Sequence, residues 1–452
     1  MHIYYFHFIF LHLLYIYHIL KAKIVPPFYI IRIVSAQDLH KNSNQKRKLI
    51  TEGSMKYTSE EIKNKVNSVY DEAVSLRRHL HMYPELSEQE YETSRFICEQ
   101  LDKMGIPYEK DIAGCGVSAV IYGKNKTKGV ALRADIDALP ITEKVEIPFK
   151  SNNPNIMHAC GHDIHTAILL GTAKVLNDMK EDLPGSVRLL FQPSEETIGG
   201  ARQMIEAGCL NEPAISAVLG LHVDSGTDAG SVEFIPGSMN AACSEFFVTV
   251  KGKSCHGAHP NDGIDALLPA CTMVSSLQSI ITRRIDPAES VLITVGKFNS
   301  GTKENIVSGE AVFSGTMRAL DMKNMDKLRT YLKELCEGIA ASYGASCEIS
   351  FSGSYPTLEN DPQLFDSVMT TAKEMLGEDK VKLTVKPSLG ADDFAFFCHE
   401  SRGLYYNIGI RKPGEDFAHP IHSELFHPDE ECIRTGMLVQ IAGVLKILEE
   451  EA

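Results

Sequence analysis

Nine residues, Met157-His158-Ala159-Cys160-Gly161-His162-Asp163-Ile164-His165, put a thiol and three imidazoles beside a carboxylate. Cys160 and His162 are two apart, so a turn lets both reach one ion. Thiolate and imidazole suit zinc and also accept other divalent first-row metals. His158 and His165 can each be a further ligand or a partner that orients one. Far along the chain, Gln192-Pro193-Ser194-Glu195-Glu196-Thr197 sets two adjacent carboxylates just after the apolar run Leu189-Leu190-Phe191. Adjacent carboxylates repel, and a metal compensates: one ligates while the other takes a proton from water, a general base beside a Lewis acid. A solvated acidic turn is the plainer alternative.

Other polar residues stand at similar places. His222 follows Val218-Leu219-Gly220-Leu221 and is either a ligand or a ring satisfying a backbone carbonyl. His419, His422 and His427 crowd one late segment, and spacing does not choose among them. Asp135 and Asp137 are i,i+2 after a strand. If strand geometry continues, they share one face, where one could hold an imidazole. Later, His256 or Asn305 could donate to the oxyanion of a tetrahedral intermediate, and Arg318 could hold a substrate carboxylate. Their plainer readings are loop residues bonded to backbone and a surface ion pair.

The elements that must position these residues alternate. The pattern predicts helices from a Thr58 or Ser59 cap to about His81, and from Ser87-Glu88-Gln89-Glu90 to about Met104. Strands follow at Val117–Tyr122 and Gly129–Arg133, then a helix at Thr166–Met179. A strand at Ser186–Phe191, a helix at Gly199–Ala207 and a strand at Ala217–Leu221 ending at His222 continue the series. Polar clusters just beyond apolar strands are where open α/β sheets bind ligands. From about Ala242 the order becomes β-α-β-β-α-β: Phe246–Lys251, Gly263–Thr282, Ser290–Phe298, Glu310–Arg318, Met325–Ala341 and Ser346–Phe351. That is a ferredoxin-like α+β unit. The interrupted pattern resumes with a helix at Gln363–Leu376, strand-like Lys382–Val385, apolar Leu404–Ile410 and a C-terminal helix at about Glu430–Leu448. The expected fold class is α/β: a mostly parallel central sheet flanked by helices, interrupted by the inserted unit. The segments are 55–240 and 354–452 for the main domain and 241–353 for the insert.

At 452 residues the chain is too long for one core. A net charge of −14 without a basic stripe disfavours a nucleic-acid partner. Eleven scattered cysteines, an odd number, argue against a disulfide framework and for a reducing, cytoplasmic setting. Residues 1–54 differ from the rest: Phe6 to Leu20 is aromatic and aliphatic, with Lys21, Lys23 and Arg32 after it. A membrane anchor, an export signal and a translated stretch upstream of the start all remain open. The polar, helix-like segment opened by Met55-Lys56 favours the last. Membrane contact is expected only if residues 6–34 are retained.

Six pieces together resemble the M20 family of metallopeptidases, in its amidohydrolase branch of N-acyl-amino-acid and auxin-conjugate hydrolases. They are Arg77 to Ser87, Arg133-Ala134-Asp135-Ile136-Asp137-Ala138-Leu139-Pro140, His158 to Asp163, Gln192 to Glu196, Gly220-Leu221-His222-Val223, and Gly390-Ala391-Asp392-Asp393-Phe394. The combination is specific; each piece alone is not. The resemblance implies metal ligands at Cys160, His162, Glu196, His222 and His422, with Glu195 as general base. It implies two divalent ions per subunit (zinc, manganese, cobalt or nickel) and a homodimer formed through the insert, a dimerisation or lid domain. His256 falls on a histidine thought to touch the substrate carbonyl, sometimes across the dimer. The chain departs from the branch at Asn261, at Asn305-Ile306-Val307-Ser308 and at Asp392, which bears on substrate identity rather than reaction type. The implied activity is cleavage of the amide of a small N-acyl amino acid. The alternatives are a dipeptidase or aminopeptidase on the same scaffold, and a non-catalytic binding protein with a vestigial metal site.

Overall fold

A computed structural model describes residues 56–452, so the readings of residues 1–54 lie outside the described residues. Helix α1 (Ser59–Met82) begins at a capping box: the Thr58 hydroxyl accepts the Glu61 N–H, and the Glu61 carboxylate accepts the Thr58 N–H. Ile62, Val66, Val69 and Ala73 recur on its buried face. Helix α2 (Tyr91–Met104) has no side-chain cap, because Glu90 at its start is used elsewhere. It ends where Gly105 takes φ +65°.

The main sheet has eight strands: β1 (Tyr108–Ile112), β2 (Gly116–Ile121), β3 (Asn125–Asp135), β4 (Gly185–Gln192), β5 (Ala214–Asp228), β6 (Val232–Phe234) and two late ones described below. Helix α3 (His162–Asp178) links β3 to β4, and α4 (Gly200–Glu206) links β4 to β5. The insert runs β7 (Ala242–Lys251), α5 (Leu267–Arg283), β8 (Val291–Ser300), β9 (Glu310–Ala319), α6 (Met322–Ser342) and β10 (Ser346–Tyr355). The chain returns through α7 (Pro362–Leu376), β11 (Val381–Leu383), α8 (Ala395–Glu400), β12 (Arg402–Arg411) and α9 (Glu431–Glu450).

The main sheet is ordered β1-β2-β4-β3-β5-β12-β6-β11. Its centre, β4-β3-β5-β12, is parallel, and β1, β2 and β6 run against their inner neighbours. Every residue of β4 is buried, as a strand covered on both faces requires. Helix α3 packs on α1, α9 and β3, and is almost entirely buried. The insert is a four-stranded antiparallel sheet, β8-β9-β7-β10. Along β7 the side chains alternate: Phe246, Val248 and Val250 face the core under α5 and α6, while Glu245 and Phe247 face outward. The two cores are separate clusters. Among the described residues no helix is long and apolar enough to cross a membrane.

Three expectations need correction. Strand β5 does not end at His222 but continues to Asp228, paired with β12 beyond that point. Helix α3 starts at His162, four residues before the expected Thr166, because Gly161 at φ +85° turns the chain directly into it. A Cβ on Gly161 would meet Val223 Cγ2 at 2.6 Å, so the turn needs glycine for space as well as for φ. Helix α5 starts at Leu267 rather than Gly263, behind a short 3-10 turn at Pro260–Asp262.

Candidate metal centre and active site

The charged residues converge at the C-terminal ends of β3 and β4, beside β5 and the first turn of α3. Arg133, near the end of β3, is wholly buried and fans its guanidinium over several acceptors. It reaches Asp135 Oδ2 at 2.5 Å, Asp393 Oδ1 at 2.8 Å and Gln192 Oε1 at 2.8 Å. Buried charge is tolerated here because it is paired and hydrogen-bonded on each side. Asp135 is held well below the usual carboxylate range: burial opposes its charge, and Arg133, His162 and His165 outweigh burial.

Each aspartate grips one imidazole. Asp135 Oδ1 accepts from His165 Nδ1 at 2.6 Å, and the Val223 N–H donates to His165 Nε2 at 3.1 Å. Both His165 nitrogens are therefore occupied, which leaves none for an ion. Burial, first of all, lowers its pKa to about 4, so the ring is neutral. Asp137 holds His162: the ring Nδ1 lies 2.9 Å from the Asp137 carbonyl and 3.1 Å from its Oδ1. His162 Nε2 is then buried with no hydrogen-bond partner among the described residues. His222 likewise donates Nδ1–H to the Val223 carbonyl at 2.8 Å, and its Nε2 stands 3.4 Å from Cys160 Sγ. Such backbone and carboxylate partners fix the tautomer of a metal-binding histidine.

Several overlapping donor groups result, among them His162, Glu195 and Glu196, and two of them share Cys160. The donor atoms of Cys160, His162 and His222 lie within 4.8 Å of one another, as do those of Cys160, Glu196 and His422. Cys160 is common to both. Glu196 Oε1 lies 3.2 Å from His422 Nε2 and is otherwise buried without a donor. A sulfur, three imidazole nitrogens and a carboxylate, with the His162 nitrogen unpartnered, form a donor set suited to two divalent cations. His422 enters at φ +63° with its N–H bonded to the Ala159 carbonyl at 2.8 Å, so the late segment is stitched to the metal loop itself. His419 packs edge-on against Phe417, and His427 is exposed outside the cavity lining.

Glu195 opens partly to the cavity, yet protein atoms crowd its carboxylate. Burial, then the charges of Asp392 and Asp393, raise its pKa well above the ordinary value. Burial likewise pushes Asp393 up to about 7. Asp392 accepts a hydrogen bond from the Tyr405 hydroxyl at 2.6 Å. Cys160, Glu195, Glu196, His222, His422 and Arg318 all line one cavity of about 880 Å3. Arg318 reaches it from β9 of the insert and has no ion pair among the described residues.

His256 and Asn305 are not brought to this cavity within the chain. Both are exposed in a small pairing of Cys255–His256 with Ile306–Val307, where the Gly257 N–H bonds the Asn305 carbonyl at 2.8 Å. Sequence reasoning assigned no role to Arg133, Tyr405 or Asp393. A lone arginine in a strand and a tyrosine in an apolar run carry no spacing signal.

The sequence profile of peptidase family M20/M25/M40 matches residues 131–444. The chain is 37% identical over 394 residues to thermostable carboxypeptidase 1 of Saccharolobus solfataricus, covering 86% of this chain and 98% of that protein. It is 39% identical over 311 residues to the N-acyl-L-amino acid amidohydrolase of Geobacillus stearothermophilus, covering 68% and 84%. The Bacillus subtilis YXEP protein, a dinuclear metal binding peptidase of the M20 family, superposes with a TM-score of 0.74 at 31% identity, over 85% of this chain and 99% of that one.

Proposed function

The chain belongs to peptidase family M20/M25/M40, and from that premise we propose that it is a metal-dependent amidohydrolase that splits N-acyl amino acids into a carboxylate and a free amino acid. The observation that carries the reading is the pair of triads sharing Cys160, with Glu195 beside them on the same cavity. Cys160, His162 and His222 would hold one divalent ion, and Cys160, Glu196 and His422 the other. Zinc, manganese, cobalt and nickel all suit these donors. Bound there, the ions supply Lewis acidity to the scissile carbonyl and to the attacking water.

Glu195 takes a proton from that water and returns it to the leaving nitrogen. Asp135 and Asp137 orient imidazoles behind the site. Arg318, a cation with no ion pair among the described residues, takes the free carboxylate of the amino-acid half. A carboxypeptidase needs the same anchor, so removal of a C-terminal residue from an N-blocked peptide is the same chemistry. A dipeptidase or aminopeptidase would instead need an anchor for a free amine.

The region 241–353 is assigned as a lid and dimerisation domain on the catalytic segments 55–240 and 354–452. Because His256 and Asn305 lie off their own cavity, they are assigned to the cavity of a second copy, His256 as an oxyanion donor. The scattered, unpaired cysteines support a cytoplasmic location.

The test is turnover of a panel of N-acetyl and N-benzoyl amino acids, N-blocked dipeptides and free dipeptides with manganese or zinc. Glu195→Gln should keep the metal and lose about 10²- to 10⁴-fold in kcat. Retained turnover removes Glu195 from the mechanism. No hydrolysis by the wild type with any of these metals would leave a binding protein.

A further inference from the structure

We propose that Glu90 is a positioning residue that holds the turn carrying Glu195 and Glu196 in its working shape. The inference rests on the roles assigned to that pair above.

Glu90 sits in the loop between α1 and α2, far from the cavity lining in sequence and wholly buried. Its Oε1 accepts the Ser194 N–H at 2.8 Å and lies 3.4 Å from the Ser194 hydroxyl. Ser194 is buried and takes φ +59°, left-handed backbone that a residue with a Cβ adopts at a cost of roughly 1 kcal/mol. Something must hold it there. The Glu90 carboxylate bonds one side, and the Glu88 N–H donates to the Ser194 hydroxyl at 2.9 Å on the other. The Gly199 N–H closes the turn on the Ser194 carbonyl at 3.0 Å.

The same loop reaches the far shoulder of the turn. Ser87 donates to Asp137 Oδ2 at 2.7 Å, and that oxygen also accepts the Glu196 N–H at 3.0 Å. Residues 87–90 thus grip the backbone on both sides of Glu195. The turn brings a carboxylate oxygen of Glu195 and one of Glu196 within 4.8 Å of each other and of a His162 ring nitrogen, so its backbone shape sets where both carboxylates sit. Without the Glu90 acceptor the buried Ser194 N–H is orphaned, and the backbone gains reason to leave the left-handed region. Burial, with the Asp137 charge adding to it, pushes the Glu90 carboxyl up to about 7. A neutral acceptor of the same shape can therefore serve.

Glu90→Ala and Glu90→Gln decide the matter together. Manganese affinity, read by titration calorimetry, and kcat and KM on an N-acyl amino acid at saturating metal are measured for each. Melting curves set the folded fraction. Glu90→Ala should weaken metal binding and lower kcat by about 10- to 100-fold each, with KM within about threefold. Glu90→Gln, whose amide oxygen still accepts the Ser194 N–H, should stay within about threefold of wild type on all counts. Wild-type affinity and kcat in folded Glu90→Ala would overturn the proposal, and so would Glu90→Gln as impaired as Glu90→Ala. A wild type that binds manganese but hydrolyses nothing counts against the hydrolase reading, and the affinity comparison then decides on Glu90 alone.

Discussion

At the mouth of the main sheet, Arg133, Asp135, Asp137, His162 and His165 are all buried, and each is tied to another of the group or to backbone. On the insert the polar residues singled out are open: Arg318 is half-buried with no ion pair among the described residues, and His256 and Asn305 are exposed. Such mutual hydrogen bonding fixes side chains to within the tolerance that metal geometry and proton transfer demand, and leaves His162 Nε2 free for an ion. An unpaired cation on a separate sheet is instead free to be satisfied by a ligand. In the proposed function, the first region would build the chemistry and the second, through Arg318, would read the substrate.

The sharpest way to break that division is Cys160→Ala. One sulfur belongs to both triads, so its removal should strip both sites. Bound metal should fall from two equivalents to almost none, and turnover to background, while the melting curve with a chelator present barely moves. A variant that kept two tightly held ions by elemental analysis would mean that the triads do not share a donor. Variants on the insert should leave metal content intact.

Arg318→Ala sharpens the other half. A charge-assisted bond to a substrate carboxylate contributes about 1.5–3 kcal/mol, so KM should rise about 10- to 100-fold with kcat within about threefold. The control is the matching N-acyl amino-acid amide, which lacks the carboxylate: wild type and variant should treat it alike. An equal loss on both substrates would make Arg318 a support for the lid rather than a reader of charge.

The two regions also differ in how far the sequence exposes them. Strands such as β4 and the β-α-β-β-α-β order of the insert follow from runs of apolar residues and their alternation, which the chain displays locally. The cluster Cys160, His162, Glu195 and Glu196 is legible because unusual residue types stand together off apolar strands. Short edge strands such as β1 and β6 were missed, since their pairing depends on neighbours distant in sequence. The stretch Ser87-Glu88-Gln89-Glu90 reads only as the capped start of α2. The Glu90 side chain turns inward to a serine 104 positions later, and no periodicity reports such a contact. His256 and Asn305 show the reverse: their residue types suggested a place in the cavity, yet the fold of one chain leaves them outside it.

The smallest effect expected concerns the buried network behind the metal loop, and its sign separates a charge-held region from one held by shape alone. His81 lies between Asp163, at 2.9 Å from Nδ1, and Glu143, at 3.2 Å from Nε2. Burial and Arg77 oppose the charged ring, but the two carboxylates outweigh them and raise its pKa. A folded pKa above the unfolded value, about 6.5 for histidine, gives stability that is full below about pH 6.5 and drains as pH rises through the folded value. Asp163 is lowered, with burial opposing and Arg77 and His81 prevailing. Its share is full above about pH 4 and lost only in stronger acid. The gap in stability between wild type and His81→Gln should therefore be widest below about pH 6.5 and shrink as pH rises above it, in melts with a chelator present to remove metal binding. A gap that widens with pH would mean a neutral His81 in the fold. The region behind the metal loop would then be held, like the insert, without a charged imidazole.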